Sequence, residues 1–428
     1  MGNSRRRRSG MREAMNRNGL TLVEMMISLL IFAIAIGIST KAFQQLVKRG
    51  SLQGKTAESN IEGIMGLEMM RTDISHAGYG LPWAFQITPT YNPNEVTTSL
   101  LATSEVDSQS FNDSLTASKV PRAIMSKPGA SGIDYLVIKG TVLGMTDTAK
   151  RWNFVSYSSA ALTNYSYLKP RAVVAANEQY ADTNLKQNDL VATVVSTYSP
   201  SGAETRTLMA PSASSYYSTV SGNPVTSSVL ATTGFQPVNA TDTVVAYGIK
   251  PSSGGISMPY NRIDFYVDKN ATKPVSCAPG TGVLYKAVAD HAGGFVKYPL
   301  LDCVGDMQVV YYDANYTPYD DTSIAGMADD VIRSTFTEVR VFILTHEGKK
   351  DTGFSYPDPT SPYMNGDANN VICVAPLIAT TGGCTDTVGR MWNKTASGSK
   401  SMPAMFGTGW RNYRWKVLTF TVSLKNLQ

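Results

Sequence analysis

Residues 18–38 read NGLTLVEMMISLLIFAIAIGI. From Leu20 to Ile38 this run is apolar at nearly every position, and as a helix it would be about 28 Å long, close to the hydrocarbon thickness of a bilayer. Six arginines and a single acid precede it, which predicts that the basic tail stays on the cytoplasmic side. The stretch predicts a transmembrane helix over 20–38, and its plain alternatives are a secretory signal peptide and a simple membrane anchor.

Two residues distinguish this run from a signal peptide. Gly19 stands immediately before it, and Glu24 lies inside it, where an ionised carboxylate at the helix centre would cost about 2.5–3.5 kcal/mol. No convincing small-residue cleavage site follows the run. Cleavage between Gly19 and Leu20 would create an α-amine on Leu20, one helical turn from Glu24 on the same face. The amine and the carboxylate could then neutralise each other, within one chain or between neighbouring chains.

Charge separates the tail from the rest of the chain. The formal net charge of +5 lies wholly in the first 19 residues, so the remainder is neutral overall. A nucleic-acid-binding domain carries its basic residues on the folded surface. The distribution therefore argues against nucleic acid as a partner.

The helix is predicted to continue beyond the apolar run. Pro82 is the first proline of the chain, so nothing forces a break before it. After Ile38 the pattern becomes amphipathic, which predicts a helix of about 50 residues within 20–81 whose second half lays an apolar stripe on a sheet. Gly63 and Gly66 each lower helix propensity by about 1 kcal/mol relative to alanine, which leaves a bent or melted section as the alternative.

The chain after Pro82 is predicted to be rich in β-structure. Short apolar or alternating runs are separated by turn clusters, and no strand alternates with a long helix, which excludes a doubly wound nucleotide-binding fold. The predicted fold class is α+β: a long N-terminal helix packed on an antiparallel β-rich head, residues 241–428, with an inserted β-rich lobe within 82–240. The predicted strands are Tyr135–Ile138, Leu190–Val195, Thr243–Tyr247, Ile263–Val267, Met307–Tyr312, Val339–Leu344 and Val417–Leu424.

The heptapeptide from Asn18 to Glu24, NGLTLVE, resembles the prepilin motif of type IV pilins and type II secretion pseudopilins. The resemblance implies that a membrane-embedded prepilin peptidase cuts after Gly19, removes the leader 1–19 and N-methylates Leu20. It also implies that Glu24 sets the register of the helix during assembly. The usual first mature residue of the family is phenylalanine, and Leu20 departs from it.

Several later stretches resemble the PilW family of minor pilins, and more loosely the type II secretion pseudopilin GspJ. They are Arg71–Gly80, Gly132–Leu136, Leu284–Lys286, Pro299–Val309, Ile332–Val341 and Arg414–Asn426.

The PilW resemblance implies a structural subunit, not an enzyme. Such a minor pilin helps to initiate type IV pilus assembly with other minor pilins and the major pilin, and can remain near the pilus tip. The implied partners are prepilin peptidase, an inner-membrane assembly platform, an assembly ATPase and membrane lipid around the N-terminal helix. The implied location is the inner membrane, with the head in the periplasm, and then the extracellular pilus.

Two alternatives stay open. One is a type II secretion pseudopilin of the GspJ type. The other is a membrane-anchored surface adhesin or carbohydrate-binding protein with Trp392, Trp410, Tyr413 and Trp415 as contact residues.

The chain has four cysteines, Cys277, Cys303, Cys373 and Cys384, which allow three pairings. Shorter loops close at lower entropic cost, which favours Cys277–Cys303 and Cys373–Cys384. Their spacing is not that of a zinc site, and disulfides suit an exported protein.

Motifs for catalysis are missing from the sequence. The three histidines are not arranged as in a zinc protease, and neither a nucleophile elbow nor a phosphate-binding loop occurs. Asp313, Asn315, Asp320 and Asp321 offer oxygen ligands, but their spacing is not that of an EF-hand, which favours a polar turn over a calcium site. The sequence predicts no cofactor, no metal and no catalytic residue.

Overall fold

The computed structural model describes residues 21–427, except for 92–93, 103–104, 157–165, 170–182, 223–228, 233, 236, 238, 240, 252–253, 320, 357–391 and 394–399. The chain divides into two compact units, residues 1–57 and residues 58–428. The second unit is called the head below.

The described residues form one long helix and three short ones, with strands throughout the head. The helices are α1 (Leu22–Ser75), α2 (Asp321–Ile324), α3 (Asp329–Thr335) and α4 (Met402–Phe406). The strands are β1 (Ala84–Phe85), β2 (Ile124–Pro128), β3 (Asp134–Gly140), β4 (Trp152–Ser156), β5 (Ser166–Lys169), β6 (Leu190–Tyr198), β7 (Glu204–Leu208), β8 (Ser218–Ser221), β9 (Val229–Leu230), β10 (Thr243–Lys250), β11 (Asn261–Asp268), β12 (Gly282–Ala289), β13 (Phe295–Asp313), β14 (Pro318–Tyr319), β15 (Phe336–Glu347), β16 (Trp392–Asn393), β17 (Lys400–Ser401) and β18 (Arg414–Ser423). All the runs predicted as strands overlap observed strands, with Leu424 lying one residue beyond the end of β18, and the predicted α+β class is confirmed.

Helix α1 has 54 residues, in agreement with the helix of about 50 residues predicted for this part of the chain. No proline interrupts it, and most of its turns carry good helix formers such as leucine, methionine, alanine and glutamate. It ends before Gly78 and Gly80, whose φ values of +84° and +67° only glycine adopts without strain. Pro82 follows and prevents the helix from resuming.

The main sheet of the head is antiparallel, in the order β18-β15-β13-β12-β11-β3-β2. Strand alternation puts Val309 and Val341 on the face that buries α1, and Val310 and Phe342 on the opposite face. The opposite face is covered twice. The segment that contains Phe111 covers the part near β2 and β3, and the C-terminal segment around α4 covers the part near β15 and β18.

Helix α1 packs closely on β13 within the head. Met70 and Ile74 are fully buried on its sheet-facing side. A Cβ atom at Gly66 would lie 2.3 Å from the carbonyl oxygen of Leu300, so only glycine allows this approach. The glycine that lowers helix propensity at position 66 is therefore a packing residue and marks no break in α1.

The last turn of α1 is tied to two distant parts of the chain. Asp73 lies 2.6 Å from Lys286 Nζ on β12, and Asn426 Nδ2 donates to the carbonyl oxygen of Ser75 at 2.8 Å. Burial raises the pKa of Asp73, and the ion pair with Lys286 opposes that rise. The amide of Asn426 satisfies one of the carbonyl groups that a helix leaves unpaired at its C-terminus.

The second sheet forms a curled lobe. Its order is β1-β7-β6-β10-β4-β5-β9-β8, and β8 also pairs with β6, so six of its strands close into a ring. The ring encloses an apolar cluster that includes Leu185, Val220 and Phe235, each fully buried. Among the lobe residues that the structure describes, strand β1 adds the one parallel pairing, with β7.

The lobe is inserted between two neighbouring strands of the main sheet. Strands β3 and β11 pair directly, and Gly140 at the end of β3 faces Asn261 at the start of β11. The intervening residues, 141–260, include all the lobe strands except β1. Sheet membership therefore does not follow the predicted division at residue 240: β2 and β3 belong to the main sheet, and β10 belongs to the lobe.

Five fully buried charged residues join the segment before β2 to the main sheet. They are Glu95, Asp113, Lys139, Arg262 and Asp264. Lys139 Nζ lies 2.7 Å from Glu95 Oε2 and 2.5 Å from Asp113 Oδ2. Arg262 donates to both carboxylate oxygens of Asp264, at 2.7 and 2.8 Å. Removing one partner of such a cluster leaves an uncompensated buried charge, so the cluster fixes the segment in one place.

The close contact at Gly66 predicts a position-specific cost. Gly66→Ala should lower the free energy of unfolding of the head by about 1–3 kcal/mol, because the new methyl group meets backbone and the helix must shift. Gly63→Ala is the matched control, since its Cβ would lie 3.1 Å from the flexible Leu301 side chain. Denaturant unfolding of the detergent-solubilised protein, followed by circular dichroism, measures both variants. Equal stability of the two variants would contradict the close-approach role.

Candidate functional site

Thr21 and Glu24 form a reciprocal hydrogen-bonded pair at the start of α1. The backbone N–H of Thr21 donates to Glu24 Oε2 at 2.9 Å, and its hydroxyl donates to the same oxygen at 3.1 Å. In return, the backbone N–H of Glu24 donates to Thr21 Oγ1 at 3.3 Å. This is a capping box, in which two of the N–H groups that a helix leaves unpaired find side-chain acceptors.

The capping box gives Glu24 a structural role at the start of this apolar helix. Glu24 lies in the first turn of α1, where a negative charge interacts favourably with the helix dipole. Only Oε2 is used in the cap, and among the described residues Oε1 accepts no hydrogen bond. The carboxylate is thus oriented by Thr21 and keeps one oxygen for a further donor.

Gly19 and Leu20, the predicted cleavage and methylation residues, lie outside the described residues. The pairing of Glu24 with an α-amine on Leu20 therefore stays a prediction. Glu24 itself is exposed within its unit and lies one turn from the position where that amine would form.

Thr21 is a site residue that was not predicted from the sequence. The pattern Thr-x-x-Glu immediately before an apolar run is the sequence signature of a capping box. Residues 21–24 carry this signature, and they also form part of the stretch that resembles the prepilin motif.

The helix that follows the cap is long and apolar enough to cross a membrane. Residues Leu22–Gln44 are apolar at most positions, and none of the most apolar stretch of this span is buried within the protein. Its 23 residues correspond to about 35 Å of helix, slightly more than the bilayer core. Length and composition alone do not separate such a helix from a signal sequence, so the residues before it carry the distinction.

The structure joins Cys277 to Cys303 in a disulfide, with 4.9 Å between their Cα atoms. The bond connects the β11–β12 loop to β13, and this is the pair that chain proximity favours. Cys373 and Cys384 lie outside the described residues, so their pairing stays a prediction.

Two histidines of the head, His291 and His346, are buried. Burial lowers the pKa of His291 to about 3 and that of His346 to about 4, so both are neutral near pH 7. Each has a structural partner: His291 Nε2 lies 3.0 Å from Asn261 Oδ1, and His346 Nε2 accepts the Ala278 N–H at 2.8 Å. Within the described part of the chain, no three His, Cys, Asp or Glu residues are grouped as metal ligands.

The candidate calcium loop is closed by its own backbone. Asp313 Oδ1 accepts the N–H groups of Asn315 and Thr317, both at 2.8 Å. These bonds form a polar turn, and the preference for such a turn over a calcium site stays a prediction. Asp320 lies outside the described residues.

The aromatic residues considered for carbohydrate contact are mostly interior. Trp410, Tyr413 and Trp415 are 3%, 6% and 5% exposed and belong to the apolar cluster on the outer face of the main sheet. They stabilise the head and do not form an exposed face.

Comparison with known proteins singles out the N-terminal segment. Residues 14–40 match the prokaryotic N-terminal methylation motif. No curated protein and no solved structure matches the chain. The motif implies processing by prepilin peptidase and assembly with pilus machinery, and with the apolar helix it suggests membrane anchoring by a structural, non-enzymatic protein. Over residues 14–40 the chain is therefore similar to type IV pilin-like and pseudopilin proteins.

Proposed function

We propose that this chain is a minor pilin of the PilW type, which helps to initiate type IV pilus assembly and remains near the pilus tip. The observation that carries the proposal is the methylation motif over residues 14–40, followed by a capped apolar helix and a β-rich head. Prepilin peptidase removes residues 1–19 on the cytoplasmic side of the inner membrane and methylates Leu20. The head stays in the periplasm until assembly moves the subunit into the pilus.

Glu24 acts in assembly through its charge. The cap of Thr21 holds the carboxylate at the helix start, next to the site where cleavage creates an amine. A cation beside the carboxylate removes the cost of holding a charge in lipid, about 2.5–3.5 kcal/mol at a helix centre and less near its end. A subunit in register with its neighbours supplies that cation, and a subunit out of register does not. The acid also argues for a position just below the extreme tip, because the pseudopilin at the tip commonly lacks it.

The arrangement of the head supports the PilW resemblance. Three of the stretches that resemble this family meet at the end of α1, where Asp73 pairs with Lys286 and Asn426 caps Ser75. These stretches come from the beginning, middle and end of the head. Their convergence supports the proposal, because the stretches then belong to one structural unit, the helix end and the strands that hold it.

Deletion of the gene distinguishes this proposal from a GspJ-type pseudopilin. The deletion strain should lose surface pili and keep secretion of type II substrates, and expression of the chain in trans should restore the pili. Loss of secretion with normal piliation would support the pseudopilin alternative instead. Partners captured with the full-length chain from membranes should correspondingly be minor pilins.

The cleavage site predicts an uncleaved variant. Gly19→Val should leave the leader attached, and intact-mass analysis of the membrane form should show an increase of about 2 kDa relative to the processed protein. Gly10→Val is the matched control, since it changes a leader glycine away from the junction and should leave processing normal. A processed Gly19→Val protein of wild-type mass would place the cleavage elsewhere.

Glu24 variants separate its charge from its capping role. Glu24→Gln retains a capping acceptor but cannot pair with a cation, whereas Thr21→Ala keeps the charge and removes part of the cap, which costs about 1 kcal/mol. Glu24→Gln should reduce pilus number roughly tenfold or more, since 1.4 kcal/mol of lost pairing is already a tenfold change. Thr21→Ala should assemble more efficiently than Glu24→Gln.

Both variants should insert into the membrane normally, which fractionation and immunoblotting check. Pilus counts by electron microscopy in the complemented deletion strain give the readout. Wild-type piliation with Glu24→Gln would show that the carboxylate serves only as a helix cap.

A further inference from the structure

The loop between β11 and β12, residues 269–281, is held at several points and is called the tethered loop. The Cys277–Cys303 disulfide fixes it to β13. Within the loop, Lys273 Nζ donates to the carbonyl oxygens of Lys269 and Thr281, and the Thr281 hydroxyl donates to the Ala278 carbonyl. The loop is therefore a defined structure although it connects two strands across the surface.

One side chain of the main sheet holds the tethered loop. The backbone N–H of Ala278, next to Cys277, donates to His346 Nε2 at 2.8 Å. A backbone N–H can only donate, so Nε2 must be unprotonated in this arrangement. Protonation of His346 at Nε2 removes the acceptor and places two N–H groups against each other.

His346 is enclosed by aromatic rings. It is 2% exposed, and its ring centroid lies 4.7 Å from that of Tyr413 and 5.1 Å from that of Trp415. Burial lowers its pKa to about 4, and hydrogen bonding to the backbone of Glu347 and Gly348 opposes this lowering. The titratable and charged groups nearest to His346 in sequence or strand register are Glu347, which is ion-paired to Lys416, and Arg414, which is ion-paired to Asp351. Tyr413 is in ring contact with His346, Lys273 lies in the tethered loop, and Asp302 lies on β13.

The tethered loop also holds the C-terminal segment in place. A Cβ atom on Gly280 would lie 1.9 Å from the Met405 carbonyl oxygen, so the loop backbone rests directly on α4. Ala278 is fully buried in the apolar cluster that includes Phe406 and Trp410. Release of the loop would expose one side of that cluster.

We propose that His346 and the tethered loop form an acid-sensitive latch on the C-terminal part of the head. With His346 neutral, the Ala278 N–H is bound and the loop covers the aromatic cluster. When His346 takes up a proton, that hydrogen bond is lost, the loop detaches except at its disulfide, and the cluster around α4 becomes accessible.

The direction with pH follows from the two states of His346. Its pKa is about 4 in the closed head and near the ordinary 6.5 when the loop is open. Above pH 6.5 His346 is neutral in both states, so its titration does not favour opening. As the pH falls from 6.5 towards 4, the open state takes up the proton more readily, and the closed state loses stability relative to it. Linkage predicts that the opening equilibrium rises on the order of a hundredfold between pH 7 and pH 4.

Hydrogen–deuterium exchange of the full-length protein in detergent tests the latch. Peptides from 269–281 should be protected at pH 7 and should lose on the order of a hundredfold in protection at pH 4, after correction for the intrinsic pH dependence of exchange. Peptides from β13 and β15 should stay protected at both pH values. Unchanged loop protection at pH 4, or equal loss in the strands, would overturn the proposal.

Two variants assign the effect to His346. His346→Gln offers an amide oxygen to the Ala278 N–H and does not titrate, so its loop should stay closed at pH 4. His291→Gln removes the other buried histidine of low pKa and should keep the wild-type transition. A second route avoids changes in the core: paired Cys277→Ser and Cys303→Ser should raise loop exchange at pH 7. A wild-type transition in His346→Gln would overturn the latch.

Discussion

The end of α1 is fixed by contacts from two distant parts of the chain. Asp73 pairs with Lys286 on β12. Asn426, which follows the last strand in the chain, donates a hydrogen bond to the Ser75 carbonyl oxygen. The helix also fills the face of the main sheet with Met70, so the principal core includes residues from both ends of the head. The head therefore cannot complete its core before its C-terminal residues are present. The same constraint explains why stretches with family resemblance are scattered in sequence and adjacent in space.

The acid in the apolar helix is explained by two separate interactions. The first belongs to the uncleaved chain: Thr21 uses Glu24 Oε2 to cap the helix, which satisfies the carboxylate in part and directs it to the N-terminal end. The second needs cleavage, because an amine on Leu20 would form at that same end. Thr21 has no part in the cleavage and remains an amide-linked residue after it. The cap can thus persist while the remaining oxygen of Glu24 accepts a new partner.

Local sequence patterns predicted the helix and strands of this protein. Features that depend on contacts between distant residues were not predicted. The alternation in Val417–Leu424 and the apolar run before Lys41 depend only on neighbouring residues. They therefore predicted a strand and a helix that the structure contains. The pairing of Lys139 with Glu95 joins residues that no local period relates, and isolated charges in strands give no sign of burial. The capping box was visible as Thr-x-x-Glu but was absorbed into a longer motif. Closure of the lobe by β6 and β8 likewise depends on a distant pairing.

The position of the lobe explains how the head can contain a large insertion while the main sheet keeps direct pairing between β3 and β11. Gly140 and Asn261 face each other as paired residues, so the lobe occupies the place of a hairpin loop between β3 and β11. The entropic cost of closing a loop rises slowly with its length, and a lobe with its own buried cluster offsets that cost itself. The register of β3 against β11 is then set by strand pairing and not by the connection. An insertion at this point enlarges the exposed surface of the subunit without separating β3 from β11 in the main sheet.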